Sequence, residues 1–341
     1  MRAWLVVTLF LLSLFPLATG ASPAATLNPD EVNNAQWRQA SKPGRAESEP
    51  LLIKAQVLLD RAHFSPGEID GRQGENYKKA LMAFAADRGL QTDGRLTEEV
   101  WRALAGASSD PVLQEYTLTE KDLEGPFLRR VPARLEKMKG LSRLAYGSAR
   151  ESIAERFHMS QGLLAKLNPR QKFERAGDKI VVVRIGDEKP AAKAARLEID
   201  KTAQTMKAFD ESQKLIAFFP ITVGSTEKPA PSGELKIRNI FRNPTYRYNP
   251  AYAFRGVRAR RPFKVAPGPN NPVGLVWIAL PGEGYGIHGT PEPGRIGKTA
   301  SHGCVRLTNW DALRLADLVS KGTPVSFLGE ETPRRVARRR G

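Results

Sequence analysis

The sequence predicts a multi-domain α+β chain, and three observations carry that prediction. Between residues 49 and 105 apolar side chains recur at helical spacing around two Asp-Gly turns. From 195 to 328 the chain changes to short Val-, Ile- and Phe-rich runs separated by Pro, Gly and Asn loops. Ala-, Pro- and charge-rich stretches at 21–48 and 186–195 have no apolar period and read as linkers. A length of 341 residues fits two or three domains at roughly 100–200 residues each.

Residues 1–20, MRAWLVVTLFLLSLFPLATG, place one charge at Arg2 before a continuous apolar run and a small-residue end, the pattern of a secretory signal peptide. The run is short for a bilayer span and no basic stop-transfer flank follows, so cleavage is expected rather than anchoring, with no membrane span in the mature chain. Export to the periplasm or the wall face also changes the reading of the charge. The formal net charge is +17 and the pI about 10.1. Inside a cell that would point to nucleic acid; outside it, a wall polymer with free carboxylates or an anionic membrane face fits better. Arg334–Arg340 in the basic tail, 329–341, reads as a solvated end.

In the first unit, Leu51, Val57, Leu58 and Ala62 lie on one helical face. Ser65-Pro66-Gly67 breaks that helix, Tyr77, Leu81 and Phe84 continue a second up to Gly89, and Glu98 to Leu104 form a third. Asp70-Gly71-Arg72 and Asp93-Gly94-Arg95 supply left-handed turns before the second and third helices. This stretch resembles the small three-helix peptidoglycan-binding domain of exported wall enzymes, although helix, Asp-Gly, helix is equally a generic bundle pattern. Residues 116–185 form a second unit with two short helices, a break at Asn168-Pro169 and a strand at Ile180–Val183. Through SIAERF, LLAKLNP and AGDKIVV it resembles a divergent LysM module, a βααβ glycan-binding fold, with Gly147-Ser148 in place of the usual first strand. His158 on its helix side reads as a structural or surface residue and not a catalytic one. In the third unit, LEIDKTAQTMKAFD and LIAFFPITVG predict an antiparallel start, followed by strands in ELKIRNI, LVWIAL and PVSFL. One helix is expected from Asn309 to about Val319, capped by Thr308, with Asp311 in capping-box position and Gly322 past its end.

Chemistry concentrates near the end of the chain. Cys304 is the only cysteine, and two of the four histidines, His288 and His302, share its segment. In an exported protein an unpaired thiol is a small buried hydrophobe, a partner for another chain or a reactive group. Zinc would accept two imidazoles and a thiolate, but His302 and Cys304 have only Gly303 between them and no acid lies near His288, so metal ranks below nucleophilic catalysis. For a thiol nucleophile, two histidines and the helix beginning at Asn309 would favour the thiolate near neutral pH. Gly303 and Cys304 could offer backbone N–H groups to a developing oxyanion.

These residues also match a family. GYGIHGTPEPGRIGKTASHGCVRL resembles the signature of the YkuD-type L,D-transpeptidase catalytic domain. NNPVGLVWIAL and GSTEKPAPSGELKI resemble that family's Asn-Pro-Gly strand start and its Pro-x-Pro-x-Gly turn, with Ala230 where threonine is common. The resemblance covers about 195–328. It implies Cys304 as nucleophile and His288 as general base, oriented by the Gly289 carbonyl, so that no acidic third member is needed. Ser301 and His302 would shape the pocket, and Gly303 and Cys304 would supply oxyanion N–H groups. Arg306 would hold a substrate carboxylate or, alternatively, sit in a surface ion pair. The basic stretch 255–264, RGVRARRPFK, would recruit carboxylate-bearing stem peptides or simply be solvated. No metal or organic cofactor is implied.

The expected activity is cross-linking of peptidoglycan stems, with a tetrapeptide stem as acyl donor and a stem amine as acceptor, giving 3–3 links. A lipoprotein lysine or water is an alternative acceptor within the same fold. A non-catalytic wall-binding protein is the rival from another class. The two N-terminal units would raise the local concentration of the active site at the wall through short linkers.

Overall fold

The computed structural model describes residues 27–39, 47–186, 192–224, 229–252, 257–299 and 303–330. The predicted signal peptide and residues 331–341 of the basic tail lie outside these ranges.

The first unit contains α1 (Pro29–Asn33), α2 (Glu49–Arg61), α3 (Glu75–Asp87) and α4 (Glu98–Gly106). Thr97 caps α4 by accepting from the Val100 N–H, and both Asp-Gly turns place glycine in the left-handed region, at φ +70° for Gly71 and +92° for Gly94. In each turn the aspartate accepts from the arginine N–H two residues on, at 2.9 Å for Asp70–Arg72 and 3.2 Å for Asp93–Arg95.

Residues 27–39, read as part of a linker, pack onto this unit: Leu27 and Val32 are buried, and the Trp37 indole donates to the Leu96 carbonyl at 2.8 Å. Asn33 Oδ1 accepts from the N–H groups of Val112 and Leu113. A helix of five residues has no period to detect, and its attachment is made by single side chains.

The second unit contains β1 (Leu113–Thr117), α5 (Glu120–Leu123), α6 (Leu135–Met138), α7 (Ala149–Arg156), α8 (Gln161–Leu167) and β2 (Lys179–Val183). Strands β1 and β2 pair antiparallel from Leu113↔Val183 to Thr117↔Lys179. The first strand therefore lies about thirty residues upstream of Gly147-Ser148 and begins before residue 116. Ser148 instead caps α7, accepting from the Glu151 N–H. The segment between α5 and α7, residues 124–147, carries α6. The two N-terminal units share one core, which joins Ile53 and Phe84 to Leu113, Ile153, Leu164 and Val182 and reaches Phe218 of the third unit.

The third unit has two sheets. One has the order β5-β4-β3-β13-β6, made of β5 (Leu215–Pro220), β4 (Thr205–Phe209), β3 (Arg196–Asp200), β13 (Pro324–Leu328) and β6 (Gly233–Lys236). The other has the order β12-β11-β10-β7, made of β12 (Val305–Arg306), β11 (Gly286–His288), β10 (Val276–Ala279) and β7 (Asn239–Arg242). ELKIRNI is thus divided between the sheets. The start β3-β4-β5 is antiparallel as expected, while β13 pairs parallel to β3. A separate hairpin, β8 (Tyr246–Tyr248) with β9 (Phe263–Val265), completes the strands. Leu197, Ile199, Phe219, Ile278, Ile287 and Leu315 belong to the core between the sheets and α9 (Asn309–Leu318). Thr308 caps α9 through the Asp311 N–H at 3.1 Å, but the Asp311 carboxylate accepts from Ser65 of the first unit instead of closing a capping box.

That contact is one of several across the units. Asp60 in α2 accepts from Arg314 in α9, at 3.1 and 3.3 Å, and lies 3.0 Å from His158 Nδ1. The His158 ring stacks on Trp310, so this histidine has the structural role expected of it. Asn309 donates to Glu155, and Asn270 donates to Glu151 and to the Ala145 carbonyl.

Candidate active site

His288 ends β11 between two neighbours. Strand β10 pairs antiparallel through Trp277↔His288, and β12 pairs parallel through His288↔Arg306. The segment that carries the cysteine is therefore stitched directly beside the histidine. Two further bonds hold β12 to the segment just after β5, from Thr222 N–H to the Arg306 carbonyl at 3.0 Å and back from Arg306 N–H to the Thr222 carbonyl at 2.8 Å. Gly303 takes φ +94°, a backbone state that a side chain would strain, and turns the chain immediately before Cys304.

Upstream, the Asn-Pro-Gly segment shapes the other wall. Gly274, at φ +61°, approaches Asn309 so closely that a Cβ would stand 2.1 Å from its Oδ1. That oxygen accepts from the Leu275 N–H at the start of β10.

His288 is 3% exposed, stacks against Trp277 with ring centroids 5.4 Å apart, and has Nδ1 2.6 Å from the Gly289 carbonyl oxygen. A carbonyl only accepts, so Nδ1 carries the proton and Nε2 of the neutral ring has its lone pair free. Burial, then the Arg306 charge, push the His288 pKa down to about 3 against the Gly289 hydrogen bond. The Cys304 thiol is half-buried, donates to the Gly284 carbonyl at 3.2 Å, and receives a hydrogen bond from the Gly286 N–H. Burial pushes it up to about 11, opposed by Arg306 and by that N–H. The expected thiolate is thus not the resting form. In this dry environment desolvation outweighs the cationic neighbour, and the two groups rest as thiol and imidazole.

Arg306 lines the same cavity as Cys304 and His288. Among the described residues it has no ion-pair partner, and its Nε is buried without a hydrogen-bond partner. The surface ion pair considered for it is therefore absent there. Ser301 and His302 lie outside the described residues. No group of three or more His, Cys, Asp or Glu side chains with metal-binding geometry occurs among the described residues.

The cavity holds about 1270 Å³. Residues not anticipated from sequence complete it: Trp277, Tyr246 and Arg247 of β8, Val257, and Leu135 from α6 of the second unit. The three-residue strands β8 and β9 have no readable alternation, and a wall supplied from another unit leaves no local signal. A thiol, an imidazole with its unprotonated nitrogen available, a left-handed glycine and a guanidinium without an ion-pair partner among the described residues, all around one cavity, make up the equipment for acyl transfer through a thioester.

On a mixed α+β domain, that equipment defines a cysteine-histidine acyl-transfer class of site. Comparison with known proteins gives the family. The L,D-transpeptidase catalytic domain (YkuD) matches residues 194–326, and a peptidoglycan binding domain matches residues 48–104. The L,D-transpeptidase YkuD of Bacillus licheniformis is 31% identical over 183 residues, 53% of this chain and 94% of that protein. Its Bacillus subtilis counterpart is 31% identical over 182 residues, with the same coverage of 53% and 94%. The L,D-transpeptidase YbiS of Escherichia coli K12 is 32% identical over 137 residues, 39% of this chain and 44% of that protein. The chain belongs to the YkuD-type L,D-transpeptidase family and carries its catalytic domain behind a peptidoglycan binding domain.

Proposed function

We propose that this protein is an extracytoplasmic L,D-transpeptidase that forms 3–3 cross-links between peptidoglycan stems through a Cys304 thioester. The observation that carries the reading is the His288 geometry: Nδ1 is tied to the Gly289 carbonyl, in a cavity that Cys304 shares. His288 Nε2 takes the thiol proton as sulfur attacks the carbonyl of the diamino acid at stem position three. Backbone N–H groups of Gly303 and Cys304 stabilise the oxyanion. The C–N bond to the terminal D-alanine breaks, and its amine leaves with the proton from His288. A stem amine then attacks the thioester, gives its proton to His288, and the released sulfur recovers that proton. Arg306 pairs with a substrate carboxylate, which would relieve its unpartnered state. Ser301 and His302 are assigned to the pocket wall.

The match over 48–104 supports wall binding by the first unit. The antiparallel β1–β2 pair, with α7 and α8 preceding β2, supports assignment of the second unit as a LysM-like glycan module, with α5 and α6 additional to the βααβ pattern. No helix among the described residues is long and apolar enough to cross a membrane.

Incubation of the full chain with disaccharide-tetrapeptide, with products identified by mass, tests the reading. A 3–3 dimer is expected; tripeptide alone would make the enzyme a hydrolase, and attachment only to a supplied lysine-bearing lipopeptide would make it an anchoring transferase. Cys304→Ala should abolish the acyl-enzyme and the carbapenem adduct while sacculus binding persists. Unchanged turnover in that variant would overturn the mechanism.

A further inference from the structure

The segment between α5 and α7 crosses to the third unit and packs on the β8–β9 hairpin. Leu144, Tyr248, Phe263 and Val265 form a small separate core, with Leu128, Leu135 and Met138 against it. Backbone bonds fix the contact: Leu144 N–H to the Pro267 carbonyl and Asn270 N–H to the Leu144 carbonyl, both at 2.9 Å. Arg258 N–H donates to the Glu136 carboxylate at 2.6 Å.

This contact has two faces. On one, Leu135 and Val257 form part of the catalytic cavity wall. On the other, Lys139, Arg260 and Arg261 surround a second cleft of about 370 Å³ whose remaining lining includes Glu136, Pro262 and the buried Phe263. The three cations are exposed and have no ion-pair partner among the described residues. Glu136 is the single acid of the cleft, and one of its oxygens already accepts from the Arg258 N–H. Like charges gathered on a fixed frame repel one another until an anion joins them. Guanidinium forks suit a carboxylate in particular.

We infer that this cleft is an accessory subsite for a carboxylate of the polymeric wall substrate, engaged by one stem peptide while another occupies the catalytic cavity. The inference rests on the proposed transpeptidase function. Peptidoglycan presents stems repeatedly along a glycan strand, so two sites sharing one wall can be filled by one polymer, and the second binding event becomes intramolecular. A cleft of about 370 Å³ bordered by three cations has room for a single carboxylate-bearing group. It also gives Arg260 and Arg261, within the basic stretch 255–264, a use that composition left open.

The test compares the full chain with its Lys139→Glu/Arg260→Glu/Arg261→Glu variant. Three readouts are taken: sedimentation with tetrapeptide-rich sacculi, turnover of those sacculi, and turnover of soluble disaccharide-tetrapeptide. The variant should bind sacculi about tenfold more weakly and need correspondingly more of them for half-maximal rate, while its rate on the soluble fragment stays within about twofold. Sacculi with their carboxylates converted to amides should lower the parent's affinity to that of the variant. Because the altered side chains are exposed, an unchanged melting temperature is expected and confirms folding. Equal sacculus binding by parent and variant overturns the inference. So does loss of binding to phosphatidylglycerol vesicles with sacculus binding intact, which would make the patch a membrane contact. If the parent turns over neither substrate while the variant still loses sacculus binding, the transpeptidase reading fails and the carboxylate cleft stands.

Discussion

The resting state of the Cys304–His288 pair can be measured through the thiol itself. With the thiol at about 11 instead of the ordinary 9.0, the thiolate fraction at pH 7.4 is roughly 10⁻⁴, against roughly 10⁻² for a free thiol. A more basic thiolate is also more nucleophilic. With a Brønsted slope of about 0.4–0.5, two units recover close to tenfold of that hundredfold deficit. Cys304 should therefore react with iodoacetamide about tenfold more slowly than N-acetylcysteine at pH 7.4. Intact-mass measurement of the rate from pH 5 to pH 10 should show a rise of about tenfold per pH unit with no plateau. The histidine cannot rescue ionisation, since at about 3 it stays neutral throughout that range. Turnover of substrate should still be fast at neutral pH, because His288 takes the proton during attack and not before it. An alkylation plateau or an inflection below pH 8 would refute the argument and establish a thiolate–imidazolium pair.

Other consequences concern stability. Asp60 is buried and bonded to Arg314 and near His158; Asp60→Ala should cost about 3–5 kcal/mol by stranding the guanidinium, read as a lower urea midpoint, and Asp60→Leu/Arg314→Met should recover much of it. Glu155 is pushed up to about 8 by burial, so its protonated form is favoured by folding. Its contribution is complete below the unfolded value of 4.5 and is lost as pH rises through 8. Glu155→Gln keeps an acceptor for Asn309 and should raise the melting temperature more at pH 8 than at pH 5; an equal change at both would count against burial as the cause. His288 has the opposite sign: its stability is present above the ordinary 6.5 and is lost as pH falls towards 3, so parent and His288→Gln should diverge in urea midpoint across that window. Gly274→Ala should cost about 1–3 kcal/mol and reduce turnover, since its Cβ would displace the Asn309 side chain that anchors Leu275.

The sequence was most informative where one physical cause acts locally. The Asp-Gly turns, the cap at Thr308, and helices α2, α3, α4 and α9 follow from periodicity and side-chain chemistry within a few residues. Cys304 and His288, which the motif brings to attention together, line one cavity, and His288 Nδ1 lies 2.6 Å from the Gly289 carbonyl oxygen. Long-range features were not legible. Strand β1 is only five residues long and is completed by β2 more than sixty residues later. Asp311, in position for a capping box, bonds instead to Ser65, a partner 246 residues away. Proton affinities were misjudged for the same reason, because desolvation depends on surroundings assembled from every part of the chain.

That assembly changes how the N-terminal units contribute to function. Tethered modules on short linkers would act by effective concentration alone, and their orientation would not matter. Here Phe64 stacks on Phe218 with ring centroids 6.5 Å apart, and Ser65, Asp60 and His158 meet α9 residues Asp311, Arg314 and Trp310. Buried polar contacts of this kind are costly to separate one partner at a time, so they fix register as well as proximity. Asn309 completes the coupling: its side chain accepts from Leu275 at the start of β10, and donates to Glu155 in α7. Strand β10 carries Trp277, which stacks on His288. Three side chains, Glu155, Asn309 and Trp277, together with β10 thus form one continuous line of contacts from α7 to the base. Substitution in the second unit at Glu155 should consequently alter turnover of even a soluble fragment, an effect that a flexibly tethered module would not produce.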